Sequence, residues 1–125
     1  MATEKSHKAV LTGVDLVSIE RIRAASGRER FLARVFTEKE LEYSFGKRLP
    51  YRHLAGRFAA KEAFIKALSS IGPSIALKDV EVVNSDSGAP CLKTSPKARA
   101  LLGGRQAFLS ISYSNGLALA FVAIQ

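Results

Sequence analysis

Five charged residues stand where chemistry can be expected: Asp15, Arg57, Lys61, Glu62 and Lys66. Asp15 interrupts an apolar segment between Val14 and Leu16. It reads either as a turn or capping residue at a strand end, or as half of a metal site. The other four lie in Arg57-Phe58-Ala59-Ala60-Lys61-Glu62-Ala63-Phe64-Ile65-Lys66. Wound at about 100° per residue, this segment has two packing faces. Leu54, Phe58, Phe64, Ile65 and Leu68 form an apolar stripe, with Arg57 and Lys61 inside it. Gly56, Ala59, Ala60, Ala63 and Ala67 form a small-residue stripe roughly opposite, and Glu62 and Lys66 sit between the two. Such a helix is buried on both sides, and buried charges need partners.

Taken singly, these residues have plainer readings. Glu62 can pair with Lys66 at i,i+4. Lys61 can lay its stem over apolar surface and keep its ammonium in water. Together they fit another chemistry. A carboxylate at a strand end and one on a buried helix can share a hard cation. Mg²⁺ is commonly held by one or two carboxylates, waters and substrate phosphates. Arg57, Lys61 and Lys66 would then supply charge for those phosphates. Such a site suits transfer of a phosphate-linked group.

The elements that must position these residues are marked by local signals. A strand is expected from Ala9 to Leu16, then a helix capped by Ser18 and running to Ala25. A short helix follows from Arg28 to Val35. Thr37-Glu38-Lys39-Glu40 is a capping box, and Glu40 reads as its second half alone. The long helix is expected from Tyr51 to Ser69. Strands follow at 79–83 and 90–93 around a turn. Ser95-Pro96 opens a helix to Leu102. Strands at 106–113 and 117–124 flank the hairpin turn Ser114-Asn115-Gly116. The sum is an α+β fold, with helices in the first half and mainly antiparallel strands in the second.

One domain over residues 1–125 is the natural count for 125 residues, with 1–8 as a flexible N-terminus. No apolar run approaches 18 residues, and the polar N-terminus lacks the apolar run of a signal peptide. The single Cys91 reads as a small packing residue and fits a reducing cytoplasm. A net charge of +8 calls for an anionic partner. Arg21, Arg23, Arg28, Arg30 and Arg34 form a cluster that is either a solvated helix face or the grip on that partner. There is no Walker loop, no GxGxxG, and little of the aromatic–basic interleaving of nucleic-acid binders.

Two longer signatures resemble a known family. The first is Gly13-Val14-Asp15-Leu16-Val17-Ser18-Ile19-Glu20-Arg21-Ile22, and the second is Arg57-Phe58-Ala59-Ala60-Lys61-Glu62-Ala63 continuing through Lys66-Ala67. Phe36-Thr37 with Glu40, the strand around Val80, Gly88-Ala89-Pro90 and Ser110-Ile111-Ser112 follow in the same order. The chain resembles the holo-[acyl-carrier-protein] synthases, the small trimeric class of 4′-phosphopantetheinyl transferases, over about residues 10 to 124.

The resemblance implies that fold, with a long central helix on a mainly antiparallel sheet, and a cytoplasmic homotrimer with active sites between subunits. It implies transfer of the phosphopantetheine arm of coenzyme A to a serine of apo-acyl carrier protein, leaving adenosine 3′,5′-bisphosphate. Asp15 and Glu62 match the Mg²⁺ ligands. Lys61 would neutralise charge at the pyrophosphate, and Arg57 and Lys66 would contact coenzyme A phosphates. Ser112 and Tyr113 lie on the coenzyme A side. Arg21, Arg28 and Arg34 are candidates to grip the acidic carrier protein, with neither nucleic acid nor membrane as partner. The proton acceptor for the serine is left open between a metal-bound water and a carboxylate such as Glu62. Tyr113 and Ala89 depart from the family's usual His and Lys, as does Ser69-Ser70-Ile71-Gly72-Pro73 from its usual Gly-Thr-Gly run. These changes imply an altered grip on the nucleotide end with the chemistry kept. The alternative is a non-catalytic module that binds carrier protein or coenzyme A, with those departures as marks of decay.

Overall fold

A computed structural model describes residues 9–125 of the chain, so the expected flexible N-terminus at 1–8 lies outside the described residues. The elements run in the order β1 (Leu11–Ser18), α1 (Ile19–Ala25), α2 (Glu29–Val35), α3 (Glu38–Phe45) and α4 (Pro50–Leu68). A 3₁₀ turn (Leu77–Asp79) leads to the hairpin β2 (Val80–Asn84) and β3 (Pro90–Thr94). Then come α5 (Pro96–Leu102), β4 (Ala107–Ser114) and β5 (Leu117–Ile124). A three-stranded antiparallel sheet has the order β1-β5-β4, and β2-β3 forms a separate antiparallel pair.

Local chemistry sets the boundaries. The Ser18 side chain accepts from the Arg21 N–H and opens α1. Both halves of the Thr37/Glu40 capping box form at the start of α3. Pro50 and Pro96 sit at helix starts, where a missing N–H loses nothing. Asn115 and Gly116 adopt φ of 50° and 75°, the tight hairpin conformation that joins β4 to β5.

Helix α4 runs through the middle of the molecule, packed on β1 and β5 and touched by α1, α3 and β2. Its small-residue stripe faces the sheet. A Cβ at Gly13 of β1 would stand 1.9 Å from the Ala63 carbonyl oxygen and 2.9 Å from the Ala67 nitrogen. A Cβ at Gly56 would meet the Tyr113 hydroxyl at 2.2 Å and Ile111 at 3.3 Å. Gly56, Ala59, Ala60, Ala63 and Ala67 are all buried, so the stripe seats the helix inside the subunit. Across from it, Leu54 and Phe64 are fully buried. Each such side chain contributes roughly 1.5–3 kcal/mol of hydrophobic stabilisation. Cys91, expected as a packing residue, is exposed on β3 instead.

The sheet covers only one of its faces. Along β5, Ala118, Ala120, Val122 and Ile124 point to α4 and are buried. The alternate positions Leu119 and Phe121, with Val14 and Leu16 of β1 and Phe108 of β4, are exposed. Alternation at period two turns each strand's second set outward, and here that set is apolar too.

Candidate active site

The close approach at Gly13 places the next inward residue of β1, Asp15, beside the fourth and fifth turns of α4. Asp15 is half-buried, with 16% of its side chain exposed. The Lys66 ammonium donates to Asp15 Oδ1 at 2.9 Å and to the Val14 carbonyl at 3.2 Å. Lys66 therefore pairs across elements, where the sequence offered Glu62 on its own helix. Glu62 stands alongside. Burial pushes its carboxyl above the ordinary glutamate value, the Asp15 charge pushes it further, and Lys66 opposes both. Two carboxylates near enough to repel thus have a cation beside them, and one of the two, Glu62, lines a groove.

That groove has a volume of about 560 Å³. Glu62 and Phe58 form one wall. Arg28, Phe31 and Arg34, from α2 and the residue before it, form the facing wall, with Leu77 of the 3₁₀ turn at the edge. Two of the three arginines expected to hold an anionic partner thus share a cavity with Glu62. Arg21 lies on α1, exposed, outside that lining.

Lys61 is not in the groove. Its side chain is fully buried, and its ammonium lies 2.6 Å from Glu40 Oε1 and donates to the Val35 carbonyl at 2.7 Å. Burial pulls it below the usual lysine range, with the Glu40 charge opposing. Neither expectation for Lys61 describes this position: its head is neither in water nor turned to a phosphate site on this protomer. The reason is Glu40, which does more than close a capping box. Its carboxylate accepts from Thr37 N at 2.9 Å and from Val82 N at 2.7 Å, and it carries the Lys61 charge. A carboxylate so engaged is the partner a buried ammonium requires. Lys61 in an apolar stripe was the signal for such a partner, though it did not say which acid.

Arg57 is also buried, 4% exposed. It donates through Nη2 to Asn84 Oδ1 at 2.8 Å, and its guanidinium lies 4.1 Å from the Tyr43 ring centroid. Its Nε is buried without a protein acceptor. An unpartnered N–H on a buried cation is costly unless a ligand meets it. Tyr113 lies on the same side of the molecule. Its ring is stacked by Arg52 at 4.4 Å, and burial pushes its phenol up. Arg57 and Tyr113 thus form a second cluster, away from Asp15 and Glu62. Ser112 is exposed on the outer face of β4.

Among the described residues no group of three or more His, Cys, Asp or Glu side chains is placed to hold a metal. Asp15 and Glu62 alone offer hard oxygen donors. That set fits Mg²⁺ shared with water and phosphate and does not fit zinc.

With this geometry in place, the profile of the 4′-phosphopantetheinyl transferase superfamily matches residues 12–122. The chain belongs to this superfamily. Its relatives in the superfamily include the holo-[acyl-carrier-protein] synthase of Thermodesulfovibrio yellowstonii, 43% identical over 114 residues that cover 90% of this chain and 95% of that one. The synthase of Protochlamydia amoebophila is 42% identical, covering 87% and 92%. Among solved transferases, the ACPS–CoA complex of Chronobacterium ammoniagenes superposes with a TM-score of 0.82 at 30% identity, covering 94% of this chain and 98% of that one. The Helicobacter pylori holo-[acyl-carrier-protein] synthase in complex with coenzyme A gives 0.80 at 30% identity, covering 92% and 100%. The α+β fold with its central helix and the enzyme class expected from the sequence are those of the superfamily. Among the described residues no helix is long and apolar enough to cross a membrane.

Proposed function

We propose that the protein transfers the 4′-phosphopantetheine group of coenzyme A to a serine of apo-acyl carrier protein, releasing adenosine 3′,5′-bisphosphate, in a Mg²⁺-dependent reaction in the cytoplasm. The single observation that supports this most is Glu62, which has Asp15 and Lys66 beside it and lines a groove with Arg28 and Arg34. The two coenzyme A complexes with the same fold add to it.

Asp15 and Glu62 would hold the Mg²⁺, which when bound neutralises phosphate charge and polarises the phosphorus and its leaving group. Lys66, already at Asp15 Oδ1, sets a cation where phosphate oxygens arrive. Glu62, its carboxyl raised by burial and by Asp15, would take the serine proton. Arg57, with its free Nε, and Tyr113 would bind the nucleotide end of coenzyme A, with exposed Ser112 nearby in sequence. Lys61 acts from the core through Glu40 and Val35, without touching substrate. Arg21, Arg28 and Arg34 draw in an acidic carrier protein, an attraction that raises the association rate and weakens with salt.

A homotrimer fits the apolar outer face of the sheet. Val14, Leu16, Phe108, Leu119 and Phe121 are 40–60% exposed. Contiguous apolar surface of this type marks an interface. Other copies of the chain would cover it.

The deciding experiment is mass-spectrometric. Apo-acyl carrier protein incubated with coenzyme A and Mg²⁺ should gain one phosphopantetheine, and chelation should stop the gain. No transfer by folded protein, tested on several carrier proteins, would leave only the binding-module reading.

A further inference from the structure

Helix α2 carries much of the groove wall opposite Glu62, yet little in its own sequence holds it in place. Seven residues are too few for an isolated helix to persist in water. Its N-cap, Arg28, makes no side-chain capping bond. The bond from Leu32 N to the Arg28 carbonyl is long, at 3.4 Å. Packing on one side comes from Phe31, whose ring centroid lies 6.1 Å from that of Phe36 and 6.2 Å from that of Phe58.

The other end is held by two lysines from outside the helix. The buried Lys61 of α4 donates to the carbonyl of Val35, the last residue of α2, at 2.7 Å. The exposed Lys78 of the 3₁₀ turn donates to the Ala33 carbonyl at 3.1 Å. The last carbonyls of a helix lack partners within it and carry the negative end of its dipole, so ammonium groups are well matched to them. Lys61 is next to Glu62 in the chain, and Lys78 is next to Leu77, which lines the groove. Each lysine therefore ties α2 to one of the other walls of the same cavity.

We propose that Lys61 and Lys78 are positioning residues: together they fix α2 so that Arg28 and Arg34 face Glu62 at the spacing the carrier protein requires. The inference rests on the reading of that arginine wall as the carrier-protein contact. Lys78 is the better probe, because it is exposed and its loss leaves the buried Lys61–Glu40 pair intact.

The test compares Lys78→Met, Lys78→Arg and Arg34→Ala in steady-state transfer at low and at high salt. Lys78→Met should raise the carrier-protein KM about threefold, the scale of one lost hydrogen bond. It should leave kcat and the Mg²⁺ requirement unchanged. Both the exposed Lys78 bond and the arginine attraction are screened at high salt, so the position of α2 is read directly, as faster amide hydrogen exchange over residues 31–35 in Lys78→Met than in wild type at either salt. Lys78→Arg, which can reach the same carbonyl, should restore KM. An unchanged KM at low salt, or unchanged amide exchange over residues 31–35, overturns the inference and leaves Lys78 as one more surface charge. Arg34→Ala separates the two levels: if it leaves the carrier-protein KM unaltered, the reading of the wall fails. If it raises KM while Lys78→Met does not, only the positioning role fails.

Discussion

Lys61 and Lys66 belong to one helix and bear the same charge, yet they end in opposite surroundings. Lys61 is fully buried, locked to Glu40 and to a backbone carbonyl. Lys66 is 55% exposed on its side chain and rests on Asp15. Five positions turn a helix by roughly 140°, enough to send one ammonium to the core and the other toward solvent. The comparison teaches that a charged motif on one helix can contain two kinds of residue. One kind holds the scaffold, and the other is left open to what binds.

The sharpest way to break this division is to truncate each side in turn. Lys61→Ala leaves Glu40 as an uncompensated buried charge and should cost about 3–5 kcal/mol of stability, measured by denaturant unfolding. A loss under about 1 kcal/mol would mean that the pair is not buried as described. Glu62→Ala should do the reverse. Transfer should fall by on the order of 10²-fold or more, since several kcal/mol of charge stabilisation are removed. Its melting temperature should hold or rise, because burial disfavours this carboxylate. Full activity in Glu62→Ala would remove Glu62 from the site.

Lys66→Met should have a smaller effect. An ion pair this exposed contributes under about 1 kcal/mol to stability. A tenfold loss of transfer with little change in unfolding would place Lys66 on the substrate side, and equal losses in both would return it to the scaffold.

The smallest effect is a pH dependence. With the Glu62 carboxyl raised in the fold, the folded chain keeps a proton that the unfolded chain has already released. Its contribution is therefore most favourable below the ordinary glutamate value and is lost as pH rises through the raised one. Glu62→Gln should flatten that part of the stability profile. An unaltered slope between wild type and variant would show that Glu62 titrates normally.

What was legible in the sequence was what local chemistry decides. Ser18, Thr37 with Glu40, Ser95-Pro96 and Asn115-Gly116 each satisfy nearby backbone groups, so the elements they bound lie within a residue or two of expectation. Asp15 could be singled out because it interrupts an apolar strand, and Glu62 because it sits between the two packing stripes of its helix. The partners of the basic residues could not be read the same way. Glu40 reaches Lys61 across 21 positions, and Asn84 reaches Arg57 across 27, through the packing of α3 and β2 on α4. Helical spacing offered Glu62 to Lys66, but the strand brought Asp15 closer. Tertiary contacts chose among several acids that the chain made available.

The bare Cα of Gly13, pressed against the Ala63 carbonyl, gives the molecule a fixed gauge. Strand and helix meet backbone to backbone, so their separation does not depend on how any side chain repacks, and the gap between the strand of Asp15 and the helix of Glu62 is set at the lower limit of contact. A single methyl there would act as a shim. The spacing of Asp15 from Glu62 is therefore open to adjustment two residues away from Asp15, by a change that leaves both carboxylates in the sequence.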